Sequence, residues 1–344
     1  HLLEAGEAGR RALLLLHGFP ELAFSWRKVM PALAEAGFHV IAPDQRGYGR
    51  TTGWSDAYDT DLAPFRMPGL VRDQLAALHA LGIARVHAVV GHDFGAPVAA
   101  WCALIRPDVF PRVAMMSSPF AGPPGWAPPP RDTLHADLAA LDPPRKHYQW
   151  YYATREANAD MLRAPQGLHA LLRAYYHHKS ADWPGNAPHE LEGWTAAQLA
   201  RLPTYYVMPL HATMPETVAP HMPDAAQVAA CGWLTEAELA VYAAEYARTG
   251  FQGGLHWYRG QVGGGNAAEL RLFSGRRIEV PAIFVAGAAD WGIHQVPGAL
   301  RRMAEEACAD FRGTQLIPGA GHWVQQEQPQ AVIRHLLDFC RAAG

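Results

Sequence analysis

Five short apolar runs punctuate the chain: Ala12 to Leu16, His39 to Ala42, Val86 to Val90, Val113 to Ser117 and Ile283 to Ala286. Each is bounded by glycine, proline or aspartate, and inside each the apolar residues follow one another without alternating with polar ones. That pattern predicts strands covered on both faces. Between and after them lie stretches with helical spacing: Trp26 to Ala36, Pro68 to Leu81, Pro97 to Ile105, Pro297 to Ala307 and Pro329 to Ala342. Several open with a proline, which the first turn of a helix tolerates. Strand and helix in alternation predict an α/β protein built on a mostly parallel, doubly wound sheet.

The alternation stops after Ser118. A proline-rich stretch, Pro119 to Pro130, leads into a region dense in tyrosine, tryptophan and histidine, and strand-like sequence returns only near Arg277 to Val280. Ten of the twelve tyrosines fall between Tyr148 and Tyr258. The reading is a core domain made of residues 1–120 and 275–344, with a helical cap, 121–274, inserted into it. There is no internal repeat.

Composition agrees with a large packed core: of 344 residues, 49% are hydrophobic and 18% charged, which excludes disordered and fibrous classes. The net charge of −3 supplies no field for nucleic acid or an anionic membrane. Cys102, Cys231, Cys308 and Cys340 are far apart and lack metal-type spacing, so reduced thiols, no metal and a cytoplasmic setting are expected. Ala12 to Leu16 is too short to span a bilayer, and no targeting signal is visible. With His1 so close to a strand, a few native residues are expected to precede it. A homodimer is compatible with this composition.

Against that background one turn carries chemistry. Gly91-His92-Asp93-Phe94-Gly95 joins an apolar strand to an alanine-rich helix, the setting of the glycine-x-nucleophile-x-glycine elbow, whose glycines permit a strained turn that exposes the middle side chain. An aspartate before a helix can also be a plain N-cap. As a nucleophile, a carboxylate forms an ester by displacing a leaving group from saturated carbon. His92 is read as structural, because neighbours on a tight turn point in different directions. His17-Gly18-Phe19-Pro20 follows the first predicted strand, where the Phe19 N–H, with that of Phe94, can form an oxyanion hole. Asp290 lies just beyond a strand and His322 in the glycine-rich loop Gly319 to Trp323. The order nucleophile, acid, histidine belongs to the α/β-hydrolase arrangement. Opening a strained ring needs an acid for the alkoxide released, which a phenol can supply.

These motifs, with Ser25-Trp26-Arg27, Asp44-Gln45-Arg46-Gly47-Tyr48-Gly49, Ser118-Pro119-Phe120, Tyr148-Gln149 and Trp257-Tyr258-Arg259, closely resemble the signatures of α/β-hydrolase-fold epoxide hydrolases over nearly the whole chain. The resemblance implies Asp93 as nucleophile, Asp290 and His322 as charge-relay pair, Phe19 and Phe94 as oxyanion donors, and Tyr148 and Tyr258 as ring-opening acids, with Tyr151 and Tyr152 as neighbours competing with Tyr148. It implies a small apolar epoxide and water as reactants, with no cofactor. One departure is Phe94, where these enzymes commonly carry tryptophan. Phe24, Trp150 and Trp257, with His17 and Pro20, are expected to line an apolar pocket. A haloalkane or haloacid dehalogenase would use the same aspartate, but Phe94 and Phe19 stand where such enzymes tend to offer polar halide donors. A silent hydrolase-fold binding protein is the third reading, and Asp93 argues against a serine-type esterase.

Overall fold

The computed structural model describes residues 1–127 and 133–342, so the last three residues of the Pro119 to Pro130 stretch lie outside the described residues. Among the described residues there are nine strands: β1 (Leu2–Ala5), β2 (Arg11–Leu16), β3 (Phe38–Pro43), β4 (Ala88–His92), β5 (Val113–Met116), β6 (Arg145–His147), β7 (Val207–Pro209), β8 (Ile278–Gly287) and β9 (Cys308–Ile317). Seven form one sheet in the order β1-β3-β2-β4-β5-β8-β9. Only β1 is antiparallel to its neighbour.

The apolar runs do what their lack of alternation predicts. Leu14, Leu16, Val89, Met115 and Phe284 pack on one side of the sheet with Leu70 and Val71 of α1 (Met67–Ala80) and the alanine-rich α2 (Gly95–Ile105). Leu13, Leu15, Val90, Ala114 and Val285 pack on the other with Val332, Leu336 and Phe339 of the C-terminal helix, Pro329–Arg341. Each central strand is thus buried from both directions.

Some elements differ from expectation. β1 and β9 have no long apolar run; β9 is an edge strand in which only Cys308 and Ile317 are fully buried, so Asp310, Arg312 and Gln315 are tolerated and the hydrophobic signal is lost. The helix expected from Trp26 begins at Met30, where Pro31 sits in its first turn, after a separate 3-10 turn at Ala23–Trp26. The stretch Pro297 to Ala307 is broken into Ala299–Arg302 and a single π turn, Met303–Ala307. β5 stops at Met116 because Ser117 adopts a positive φ of 66°.

Between β5 and β8 the chain is largely helical, with β6 and β7 as a small antiparallel ribbon. Three of its helices face the sheet's carboxyl ends: α3 (Tyr148–Tyr152), α4 (Leu168–Lys179) and α5 (Gln252–Val262). Two glycines bring α5 close. A Cβ on Gly253 would sit 2.0 Å from the Gly47 carbonyl oxygen, and one on Gly254 would sit 2.8 Å from the Phe19 ring. Both approaches need the missing side chain. Among the described residues no helix is long and apolar enough to cross a membrane.

Candidate active site

Asp93, Asp290, His322 and Phe19 come from four separate loops, and all four loops leave the carboxyl ends of parallel strands. This is the edge of an open α/β sheet where sites form. Asp93 follows β4 and precedes α2, with a positive φ of 51°. A non-glycine residue there is strained, and the packing shows what holds it. A Cβ on Gly91 would lie 2.0 Å from the Gly95 carbonyl oxygen, and one on Gly95 would lie 2.3 Å from that of Leu16. The elbow is therefore pressed between its own helix and β2, with room for no side chain on either flank.

The Asp93 carboxylate is held at both oxygens. Oδ1 accepts the Phe19 N–H at 2.9 Å, and Oδ2 stands 3.1 Å from His322 Nε2. On its far side His322 donates Nδ1–H to Asp290 Oδ1 at 3.1 Å, and that oxygen also accepts the Gly292 N–H at 2.7 Å. Burial by itself would push the Asp93 carboxyl up; the hydrogen bond and charge of His322, with Lys179 and His92 contributing, hold it below the usual carboxylate range. Asp290 shows the same contest, burial raising it and His322 prevailing. Both acids are anions ready for use at neutral pH.

The phenols Tyr148 and Tyr258 pack on each other, and Tyr258 packs on the two phenylalanines that adjoin Asp93. The Tyr148 and Tyr258 rings meet edge to face at 5.8 Å between centroids, and Tyr258 packs on Phe94 at 5.1 Å and Phe19 at 5.4 Å. Burial raises both phenols, and the charge of Asp93 adds to it, so each keeps its proton. Tyr148 donates to Gln295 Oε1 at 3.1 Å and accepts from Gln149 Nε2 at 3.3 Å. Of the competing tyrosines, Tyr151 donates to Asp160 Oδ2, whereas the Tyr152 ring packs on Tyr258 at 5.0 Å and Phe19 at 5.1 Å and differs from Tyr148 in that its hydroxyl is bonded to that of Tyr175.

The expected pocket residues divide. Phe94 and Trp257 pack together at 5.1 Å, and the Trp257 indole N–H is taken by the Arg46 carbonyl at 2.9 Å. Pro20 lines a small apolar cavity with Phe19, Tyr152, Tyr175 and Phe251. Phe24 instead packs on Tyr242 and under Arg27, and Trp150 lies against His135 and His147. Neither meets the residues around Asp93. Both are apolar enough for a pocket, but a sequence does not say which way an aromatic turns. His17 shapes the loop: its Nδ1 bonds the Gly18 carbonyl and its Nε2 accepts the Gln45 N–H.

A buried ionic network under the site was not read from the sequence. Glu21, fully buried, accepts His92 Nδ1–H at 2.6 Å, the Gly18 N–H at 3.1 Å and the Gln325 amide at 2.8 Å. His92 Nε2–H donates to the His322 carbonyl at 2.7 Å. Burial would lower the His92 imidazole, but the Glu21 carboxylate outweighs it and raises it. The pair thus braces the oxyanion loop and the histidine loop together. The structural reading of His92 agrees with this placement; the only hint of Glu21 in sequence is its position after His17-Gly18-Phe19-Pro20. Removing one member of a buried pair strands the other, so Glu21→Ala is expected to cost about 3–5 kcal/mol of stability. A urea melt monitored by tryptophan fluorescence measures this, and a loss under about 1 kcal/mol would mean the pair is not a brace.

Known proteins resemble this chain in sequence and fold. The α/β hydrolase fold family matches residues 11–329. Epoxide hydrolase A of Mycobacterium tuberculosis is 34% identical, over 98% of this chain and 92% of its own length; epoxide hydrolase B of the same organism is 35% identical, over 95% and 90%. The crystal structure of epoxide hydrolase A from Mycobacterium thermoresistibile superposes with a TM-score of 0.78 at 33% identity, covering 99% of this chain and 94% of that one. Fold, near-full-length likeness and the order of motifs agree, and the chain belongs to the α/β-hydrolase fold family, within its group of epoxide hydrolases.

Proposed function

We propose that this protein converts apolar epoxides to vicinal diols through an ester on Asp93. The observation that carries the reading is a carboxylate backed by a histidine and a second acid, with Tyr258 packed on the adjoining Phe19 and Phe94 and Tyr148 packed on Tyr258. Residues 121–274 act as the cap that presents the phenols, and 1–120 with 275–344 as the core that presents the nucleophile.

In the first half-reaction Asp93 Oδ2 attacks an epoxide carbon from the side opposite the ring oxygen. The carbon–oxygen bond breaks and the oxygen takes a proton from Tyr148 or Tyr258, while the other phenol hydrogen-bonds it. Oδ1, already on the Phe19 N–H, becomes the ester carbonyl oxygen. Alkylation removes the negative charge facing His322 Nε2, leaving that nitrogen to meet a water instead of a carboxylate. In the second half-reaction His322, oriented by Asp290, takes a proton from water, which attacks the Asp93 carbonyl carbon. The oxyanion formed on Oδ1 is held by the Phe19 and Phe94 N–H groups. Collapse breaks the ester bond, the departing diol oxygen takes the proton from His322, and the proton left on the Asp93 carboxyl returns to the tyrosinate, restoring both the carboxylate and the phenol.

A single turnover of a simple aryl epoxide in heavy-oxygen water tests the scheme. The label is expected in the Asp93 carboxylate and absent from the first diol; label in the first diol would exclude the ester. The acids are tested separately. Tyr258→Phe is expected to slow ester formation on the order of a hundredfold, read by rapid-quench single turnover, and an unchanged rate would remove Tyr258 from the ring-opening step. A dehalogenase is disfavoured because the Trp257 indole N–H beside Phe94 is committed to the Arg46 carbonyl and so is not offered to a halide.

A further inference from the structure

The loop that carries His322 is stitched to the insertion by backbone groups, and one side chain gathers three backbone donors at that seam. The Glu327 carboxylate accepts the Gly321 N–H at 2.9 Å and the Trp323 N–H at 2.9 Å, the residues on either side of His322. The oxygen that takes Gly321 also accepts the Ala181 N–H at 2.8 Å, and Ala181 lies two residues beyond α4. Next to these bonds the His322 N–H itself donates to the Lys179 carbonyl at 2.9 Å, and the Trp323 indole N–H donates to the Tyr176 carbonyl at 2.8 Å. The seam is tight: a Cβ on Gly321 would lie 2.6 Å from the Ala181 nitrogen.

A carboxylate in this place is costly. Glu327 is half-buried, and among the described residues it has no cationic partner within ion-pair distance; desolvation and the nearby Asp182 push its carboxyl up to about 7 in spite of its three backbone donors. A glutamate with no mechanistic step to perform, kept where burial opposes its charge, has one evident use in the geometry. Three amide donors converge on it, and no neutral side chain of this length offers two strong acceptor oxygens with no donor of its own.

We propose that Glu327 is a positioning residue for the hydrolytic half-reaction: it ties the backbone on both sides of His322 to Ala181 and so aims the imidazole at the water that cleaves the ester. This rests on the two-step reading above. Ester formation depends on Asp93, held through Oδ1 by Phe19, and on the phenols, none of which Glu327 touches. Ester cleavage depends on where His322 Nε2 points, and a shift of about 1 Å in such a group can cost on the order of a hundredfold.

The test follows intact-protein mass after mixing with excess aryl epoxide, alongside rapid-quench rates for each half-reaction, for the wild type, Glu327→Ala, Glu327→Gln and His322→Asn. Glu327→Ala is expected to slow ester hydrolysis by on the order of a hundredfold while ester formation changes less than about threefold, so that the alkylated protein accumulates. Glu327→Gln keeps one acceptor oxygen and is expected to be milder, roughly tenfold; it also serves if the alanine variant does not fold. Equal slowing of both half-reactions would reduce Glu327 to a structural residue and overturn the proposal, as would unaltered hydrolysis. If His322→Asn also accumulates no ester, the two-step reading itself falls and the proposal with it. An ester trapped in His322→Asn and in neither Glu327 variant overturns the proposal alone.

Discussion

Asp93→Ala is expected to abolish epoxide turnover, with kcat lower by on the order of ten-thousandfold or more, and to leave no alkylated protein. The size of the effect follows from the site's having one nucleophile. Asp93 Oδ2 is the carboxylate oxygen beside His322 Nε2, at 3.1 Å, whereas Asp290 is engaged on the opposite ring nitrogen and cannot exchange roles without turning the imidazole over. Phe19, which organises Oδ1, would be left with nothing to hold. The fold should tolerate the change, because the elbow is fixed by Gly91 and Gly95 packing on backbone and alanine removes a carboxylate whose burial is itself unfavourable. Steady-state diol formation, with a cooperative melt as control, checks both statements. Retention of a tenth or more of the wild-type rate in a well-folded variant would require another nucleophile.

The second large effect separates the half-reactions. His322→Asn removes the base but spares Asp93 and both phenols, so the first turnover should proceed and the second should not. Protein mixed with excess epoxide is expected to gain the mass of one epoxide per chain, on Asp93, and multiple turnover to fall by on the order of a thousandfold. Asparagine can hydrogen-bond the Asp290 carboxylate but cannot take up a proton from water, so geometry is preserved better than chemistry. Peptide mapping of the adduct locates it. Failure to trap any adduct, with turnover lost, would point to direct attack of water on the epoxide and away from an ester.

The two variants draw on information of different kinds. Asp93 announces itself because its glycine neighbours, the preceding apolar run and the small-residue helix are contiguous, and contiguous patterns survive in one dimension. Asp290 and His322 are nearly as plain, each lying just past a strand end and in the right order. The tyrosines are harder. Tyr148, Tyr151 and Tyr152 occupy one short helix, and only the packed structure shows that the rings of Tyr148 and Tyr152 both meet Tyr258 while the Tyr151 and Tyr152 hydroxyls are taken by Asp160 and Tyr175. Glu21 and Glu327 leave almost no trace in the chain, because an acid in a loop or at the end of a short helix reads as solvated until its packing partners are known.

The limits of pattern reading show equally in the sheet. Strands buried on both faces advertise themselves as apolar runs, whereas β9, at the edge, keeps Asp310 and Arg312 partly exposed and reads as a loop, although it is the strand that delivers the His322 loop.

Taken alone, the amino-acid order determined the doubly wound sheet, the break in its alternation after β5, the strained turn at Asp93 and the chain order Asp93, Asp290, His322. These follow from local rules: burial on both faces, backbone freedom at glycine, and the fixed chirality of strand and helix connections. How the tyrosine rings pack around Phe19 and Phe94, which aromatics turn away from them, and which donors converge on Glu21 and Glu327 were decided only by tertiary structure. Those outcomes depend on rotations about helix axes and on contacts between residues far apart in sequence, such as the 304 positions between Glu21 and Gln325, and side-chain direction and burial at such distances are properties of the packed molecule.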